Sequence, residues 1–188
     1  MNPRSSLEIE VKLRVASLEP LYARLAGLGF VERQPLQTEE SVLWDRGTEL
    51  LERGCALRLR RYAGQAWITF KGPKQEHPDL KIRPEHETRL DDPAAMELIL
   101  AALGYGPVLR MAKSRSVWQG ETLVACLDET PLGPFLELEG APEAIHAAMT
   151  ALGIGKDAIE PRSYPTLYQD SASRQTAATR PELQLSFE

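Results

Sequence analysis

Near the amino end, Leu7–Val15 alternates without a break between apolar and charged residues: Ile9, Val11, Leu13 and Val15 in one phase, Glu8, Glu10, Lys12 and Arg14 in the other. In an extended strand successive side chains point to opposite faces, so this segment has one oily face and one ionic face. The same period of two runs through Ala56–Tyr62, Ala66–Lys71, Leu80–Leu90, Met111–Trp118, Leu123–Leu127 and Phe135–Glu139, with Val42–Asp45 as a weaker eighth strand. Arg58 and Arg60 oppose Leu57 and Leu59, while Glu137 and Glu139 oppose Leu136 and Leu138. Arg83, Glu85, Glu87 and Arg89 share a phase, as do Lys113 and Arg115.

A sheet face turned to water usually mixes in Thr, Ser and Gln, whereas these positions are almost all Glu, Arg or Lys. Three further segments carry helical spacing, Leu18–Leu28, Pro93–Leu103 and Pro142–Leu152, each followed by a glycine (Gly29, Gly104, Gly153) suited to a left-handed C-terminal cap. Their apolar stripes need a partner, and the apolar strand faces are the available one. That leaves the ionic faces turned towards each other. The expected fold is therefore α+β: a closed eight-stranded antiparallel barrel with a charged lumen and helices packed outside.

One domain, residues 1–170, accommodates all of these elements. A weak internal repeat, Glu-x-Glu strand then helix then Leu-Gly, starts at Glu8/Glu10, Glu85/Glu87 and Glu137/Glu139. From Ser171 the chain turns to Ser, Ala, Thr and Gln without periodicity, so 171–188 is expected to be a solvated, flexible tail in which Leu183–Phe187 packs locally at most. No apolar run approaches the roughly 20 residues of a membrane span, and no secretory h-region follows Met1, so the expectation is a cytoplasmic protein with no membrane partner. A net charge of −5 argues against a generic nucleic-acid binder. Cys55 and Cys126 have no metal-type spacing, and His77, His86 and His146 share none either. No feature of the sequence sets an oligomeric state.

An interior of unpaired charge costs more than folding can supply, so the lumen must pair its charges or bind a ligand. Arg and Lys suit phosphate oxygens, Arg through its bidentate fork. Carboxylates in the same lumen repel phosphate unless hard cations such as Mg²⁺ or Mn²⁺ bridge the two. A phosphate loop of the G-x-x-x-x-G-K-[ST] type is missing, and the glycines at 104–106 and 153–155 follow helices as caps do.

The residues at this point match a known pattern. EIEVK (Glu8 to Lys12) resembles the E-x-E-x-K signature of the CYTH domain, or triphosphate tunnel metalloenzyme, superfamily. LRLR (Leu57 to Arg60), TFKGP (Thr69 to Pro73), IRPEHE (Ile82 to Glu87), KSR (Lys113 to Arg115), LDE (Leu127 to Glu129) and LGPFLELE (Leu132 to Glu139) follow in the family's order, over residues 7–168. The resemblance implies a tunnel of eight antiparallel strands. It implies metal ligation by Glu8, Glu10, Glu137 and Glu139, and triphosphate contacts from Lys12, Arg58, Arg60, Lys71, Arg83, Lys113 and Arg115. Lys12, Glu85 and Glu87 become the catalytic candidates, the two glutamates as acidic lining groups. Asp128 has two readings, a ligand of a second metal or a turn cap. SYPTLY (Ser163 to Tyr168) resembles a Ser-Tyr motif that follows the last helix in many members. One departure stands out: Leu43-Trp44-Asp45 replaces a common aromatic pair before Asp, so the sequence identifies no base-reading pocket.

Family members include inorganic and thiamine triphosphatases and class IV adenylyl cyclases. Hydrolysis places a metal-activated water against the terminal phosphorus; cyclisation places the ribose 3′-hydroxyl against the α-phosphorus. The lumen serves either reaction, and hydrolysis of tripolyphosphate or a nucleoside or thiamine triphosphate is the simpler demand. A non-catalytic polyphosphate or nucleotide binder is the reading of a different class, against which the paired glutamates weigh.

Overall fold

The computed structural model describes the backbone of residues 6–178 and side chains from 7 to 173. Among the described residues eight strands occur: β1 Ser6–Arg14, β2 Val31–Asp45, β3 Ala56–Tyr62, β4 Gln65–Lys71, β5 Lys81–Leu90, β6 Gly106–Gln119, β7 Leu123–Thr130 and β8 Gly133–Gly140. All adjacent pairs are antiparallel, and they close into a barrel in the order β1-β5-β4-β3-β2-β6-β7-β8, with β8 returning to β1. The helices are α1 Glu19–Gly27, α2 Glu49–Glu52, α3 Pro93–Ala102, α4 Pro142–Ala151 and α5 Tyr164–Ala178.

The oily strand faces turn outward, where helices cover them. Leu21 and Leu25 of α1 and Ile145 and Met149 of α4 pack on Val11, Leu13, Leu127, Leu136 and Leu138, most of them fully buried. On the other flank Leu100 of α3 packs on Val42, Trp44 and Leu59. The ionic faces are left for the lumen, as the alternation requires. Gly29, Gly104 and Gly153 close α1, α3 and α4 with φ of 83°, 85° and 65°, the expected left-handed caps. The β3–β4 hairpin turns on Ala63 and Gly64, both at positive φ, which matches the right-handed twist of the strands.

Two elements depart from expectation. The weaker eighth strand expected at Val42–Asp45 is the end of a much longer β2, which pairs with β6 from Val31 opposite Gln119 to Asp45 opposite Gly106 through three register irregularities. The outer half of β2 is exposed on nearly every residue, so it carries no burial alternation to read. Secondly, α5 continues past Ser171 to Ala178, anchored through buried Leu167 and through Tyr168, whose hydroxyl donates to the Ala112 carbonyl at 2.7 Å. A mostly polar helix held by one short apolar stripe shows almost no periodicity. Leu183–Phe187 lies outside the described residues. Among the described residues no helix is long and apolar enough to cross a membrane.

Candidate active site

Barrel closure sorts the inward charges by strand. The three strands bearing Glu-x-Glu pairs, β5, β1 and β8, are contiguous, and they set Glu85, Glu87, Glu8, Glu10, Glu137 and Glu139 along one wall. Across the lumen β3, β2 and β6 are contiguous, and they bring Arg58, Arg60, Lys113 and Arg115 together. β4 joins the two walls on one side with Thr69 and Lys71, and β7 joins them on the other with Cys126 and Asp128. The cavity between them measures about 620 Å³. Nine lysines and arginines and eight acidic residues line it, so its charges nearly balance.

The acidic wall is cross-linked by its own cations. Lys71 Nζ donates to Glu8 Oε1 at 2.6 Å, and Arg83 Nε donates to Glu8 Oε2 at 3.0 Å. Lys81 Nζ donates to Glu10 at 3.3 Å. Lys71 Nζ also stands 2.7 Å from Glu85 Oε2, off the hydrogen-bond direction, so that oxygen keeps no hydrogen-bond partner. Glu139 is different. It lies directly opposite Glu10 in the sheet and no lysine or arginine among the described residues pairs with it within 4 Å. Burial, with the charges of Glu8, Glu10 and Glu85, raises its carboxyl to about 7.

Glu8, Glu10, Glu137 and Glu139 are all hard oxygen donors, and a divalent Mg²⁺ or Mn²⁺ ion among them would relieve the repulsion of Glu139 by Glu8 and Glu10. In the conformation described, Glu8 and Glu10 face Lys71, Arg83 and Lys81, Glu137 contacts Arg115 and Lys12, and no three acidic, His or Cys side chains among the described residues already surround one point. The donor set fits such a metal; the side chains would reorient to take it.

The cationic wall is built round buried carboxylates. Arg115 grips Asp128 with two hydrogen bonds of 2.6 Å and also donates to Glu137. Lys113 donates to the same Asp128 at 2.9 Å, and the Tyr164 hydroxyl donates to it at 2.6 Å. Arg115 is itself desolvated, yet Asp128 with Glu39 and Glu137 keeps its guanidinium protonated well above the usual range. On the other side Glu87 accepts from Arg60 and from the Thr69 hydroxyl, the latter at 2.7 Å. Lys12 stands between the walls, 1% exposed, with Nζ 3.7 Å from Glu137 and 3.5 Å from the Tyr164 ring centroid. Burial lowers its ammonium to about 7 against the opposing pull of Glu137.

Of the residues expected from sequence, Glu8, Glu10, Lys12, Arg58, Arg60, Lys71, Arg83, Glu85, Glu87, Lys113, Arg115, Glu137 and Glu139 all converge on this cavity. Asp128 does not line it. Fully buried, it accepts hydrogen bonds from Arg115, Lys113 and Tyr164, which makes it a strut beneath the cationic wall, and none of its hydrogen bonds caps a turn.

Sequence reasoning missed Glu39, Lys81 and Tyr164. Lys81 shares the phase of Arg83 and Glu85, so the period of two already marks it. Glu39 sits in the unreadable part of β2, and is 2% exposed with Lys113 at 3.7 Å and Arg60 at 3.6 Å. Burial pushes its carboxyl up, but Lys113, Arg115, Arg58 and Arg60 outweigh that and hold it at about 2.

Comparison with known proteins agrees with this fold. A Methanocaldococcus jannaschii protein provisionally named an adenylate cyclase is 30% identical over 169 residues, covering 84% of this chain and 96% of that protein. A solved structure from Vibrio parahaemolyticus, also provisionally named an adenylate cyclase, superposes with a TM-score of 0.78 at 20% identity, over 88% of this chain and 99% of that one. An adenylyl cyclase homologue from Hippeastrum, reported to have a dominant triphosphatase activity, gives 0.65 at 18% identity over 87% and 96%. The CYTH domain model matches residues 6–164, and the chain belongs to the CYTH family.

Proposed function

We propose that the chain is a divalent-metal-dependent triphosphatase acting on a triphosphate drawn into the tunnel. The observation that carries this reading is the division of one closed lumen into an acidic wall and a cationic wall. Arg58, Arg60, Lys113 and Arg115 hold the phosphate oxygens, and because Glu87 and Asp128 already orient Arg60 and Arg115, little reorganisation accompanies reaction. Lys71 and Arg83 reach the same phosphates from the acidic wall. Glu8, Glu10, Glu137 and Glu139 would hold Mg²⁺ or Mn²⁺, with Glu137 also in contact with Arg115 and Lys12. When bound, the ion screens phosphate from carboxylate and lowers the pKa of a water to be used as nucleophile. Lys12, whose proton is exchangeable near neutrality, delivers a proton to the leaving oxygen.

The names of the relatives favour a second reading, a class IV adenylyl cyclase forming cyclic AMP and pyrophosphate. The Hippeastrum protein, which bears a similar name with a dominant triphosphatase activity, favours the first. Chromatographic separation of the products formed from ATP with Mg²⁺ or Mn²⁺ decides: ADP and phosphate are expected, and cyclic AMP as main product overturns the hydrolase reading. Metal-dependent turnover of either kind removes the non-catalytic binder.

A further inference from the structure

Helix α3 has no polar side to turn to water. Nine of the ten residues of Pro93–Ala102 are apolar, and the exception, Glu97, is taken up by Arg61 of β3 at 2.7 Å. Leu100 is sealed in the core with Val42, Trp44 and Leu59, and Met96 packs half-buried beside it. Leu98, Ile99 and, just past the helix, Leu103 are 74%, 51% and 60% exposed. On the other flank α1 and α4 show water Glu19, Arg24, Glu143 and Thr150 instead. A helix apolar on every side is normally covered on every side, and a concentrated apolar face marks an interaction surface.

The charges at its two ends say what covers it. Asp91 and Asp92 are exposed at the amino end. At the carboxyl end the exposed side chain of Arg46 lies over Gly104, with Cδ 3.4 Å from the point a Cβ would occupy. Arg46 and Arg53 share the single carboxylate of Glu49, and Arg46 reaches it through Nε and Nη2, so its Nη1 is left for a further carboxylate. Along the helix the surface therefore passes from carboxylates, through an apolar strip, to a guanidinium. A partner of uniform charge would match one end and be repelled at the other. A second copy turned by a two-fold axis through Leu98 presents the reverse order. Asp92 of one copy then comes level with Gly104 of the other, both six residues from the axis, and the acidic end meets Arg46.

We propose that α3 is a homodimer interface in which two copies pair antiparallel about Leu98. A strip of ten helical residues is about 15 Å long. That is the small end of specific interfaces, so dimer and monomer exchange in the micromolar range. None of Leu98, Ile99 and Leu103 lines the tunnel, so all three can be changed without touching the cavity.

Sedimentation velocity of the full chain from about 1 to 200 µM brackets that range. The weight-average coefficient is expected to rise from monomer to dimer across it. Leu98→Glu sets two like charges face to face at the axis and is expected to hold the chain monomeric throughout, with Tm within about 2 °C of wild type because the side chain is exposed. Leu98→Cys is expected to form an intermolecular disulfide on mild oxidation that the wild type does not form, since the axis sets position 98 against itself. Arg46→Glu is expected to weaken the dimer, and Asp91→Arg added to it to restore association. A wild-type chain that is monomeric at the highest concentration, a dimer that survives Leu98→Glu, or a Leu98→Cys chain that stays unlinked overturns the proposal. If removing residues 179–188 turns such a monomer into a dimer, the chain's own carboxyl end is the occupant and the proposal falls.

Discussion

Replacing Asp128 by Asn keeps the side chain's volume and removes its charge from beneath the cationic wall. Four donor contacts converge on that carboxylate: Arg115 Nε on Oδ1, and Arg115 Nη2, Lys113 and the Tyr164 hydroxyl on Oδ2. An amide has one oxygen, so either orientation aims its NH₂ at a guanidinium N–H. Arg115 is left buried with Glu137 and the more distant Glu39 as its counter-charges. Breaking a buried ion pair by removing one partner costs about 3–5 kcal/mol. For a chain of this size each kcal/mol moves Tm by about 2–4 °C, so the variant is expected to melt about 6–20 °C lower in calorimetry. Mn²⁺ affinity of the folded variant, titrated calorimetrically, is expected to stay within about threefold of wild type, because Asp128 faces Arg115, Lys113 and Tyr164 rather than the cavity. A Tm within about 1 °C of wild type together with a tenfold loss of Mn²⁺ affinity would refute the strut and restore the metal-ligand reading.

Arg58→Ala and Arg60→Ala are each expected to weaken triphosphate binding by about 1.5–3 kcal/mol, read as Kd; unchanged affinity would put the pair outside the phosphate path. Glu139→Gln is expected to lower Mn²⁺ affinity while leaving metal-free Tm at pH 8 equal or higher, since it removes a carboxylate that repels Glu8, Glu10 and Glu85; a large drop in Tm would contradict this. The raised Glu139 carboxyl, at about 7, must lose its proton when metal binds, so wild-type Mn²⁺ affinity is expected to climb between pH 6 and 7 and flatten above, and pH-independent binding would speak against it as a ligand. Glu39 and Glu160, the latter held down by Arg162, both lie at about 2, below their unfolded value of 4.5. Their stabilisation is complete above 4.5 and lost as pH falls through 2, so Tm is expected to fall across that window, less steeply in Glu39→Gln.

How legible all this was depends on where alternation survives. β1 and β3 are half oily and half ionic along nearly their whole length, so both their bounds and their inward residues follow from the period of two, and β8 keeps that pattern from Phe135 to Glu139. β2 fails because its outer half has no buried face, and with it went Glu39, the carboxylate at the centre of the cationic wall. Asp128 lies one residue past the strand read at Leu123–Leu127, and phase cannot tell a side chain that reaches the cavity from one sealed under Arg115. Nor can a linear pattern give neighbours: that β1 lies between β5 and β8, gathering the three acidic pairs, is a fact of closure. Tyr164 entered the sequence reading only as part of a motif. Its place over Lys12 and Lys113 depends on α5 folding back across the tunnel.

The position of β1 also has a cost in time. Its two neighbours are Ser6–Glu10 against Lys81–Glu85 and Glu10–Arg14 against Phe135–Glu139, so the first strand to be synthesised is the last to be enclosed. At about 5–20 residues per second, Val11 and Leu13 wait on the order of ten seconds on a ribosome for the partner that covers them. During that interval the half-built sheet has two open edges and an ionic face with no opposite wall. Barrel closure is a late, long-range event, and chains of this topology are expected to fold slowly compared with helical bundles of equal length.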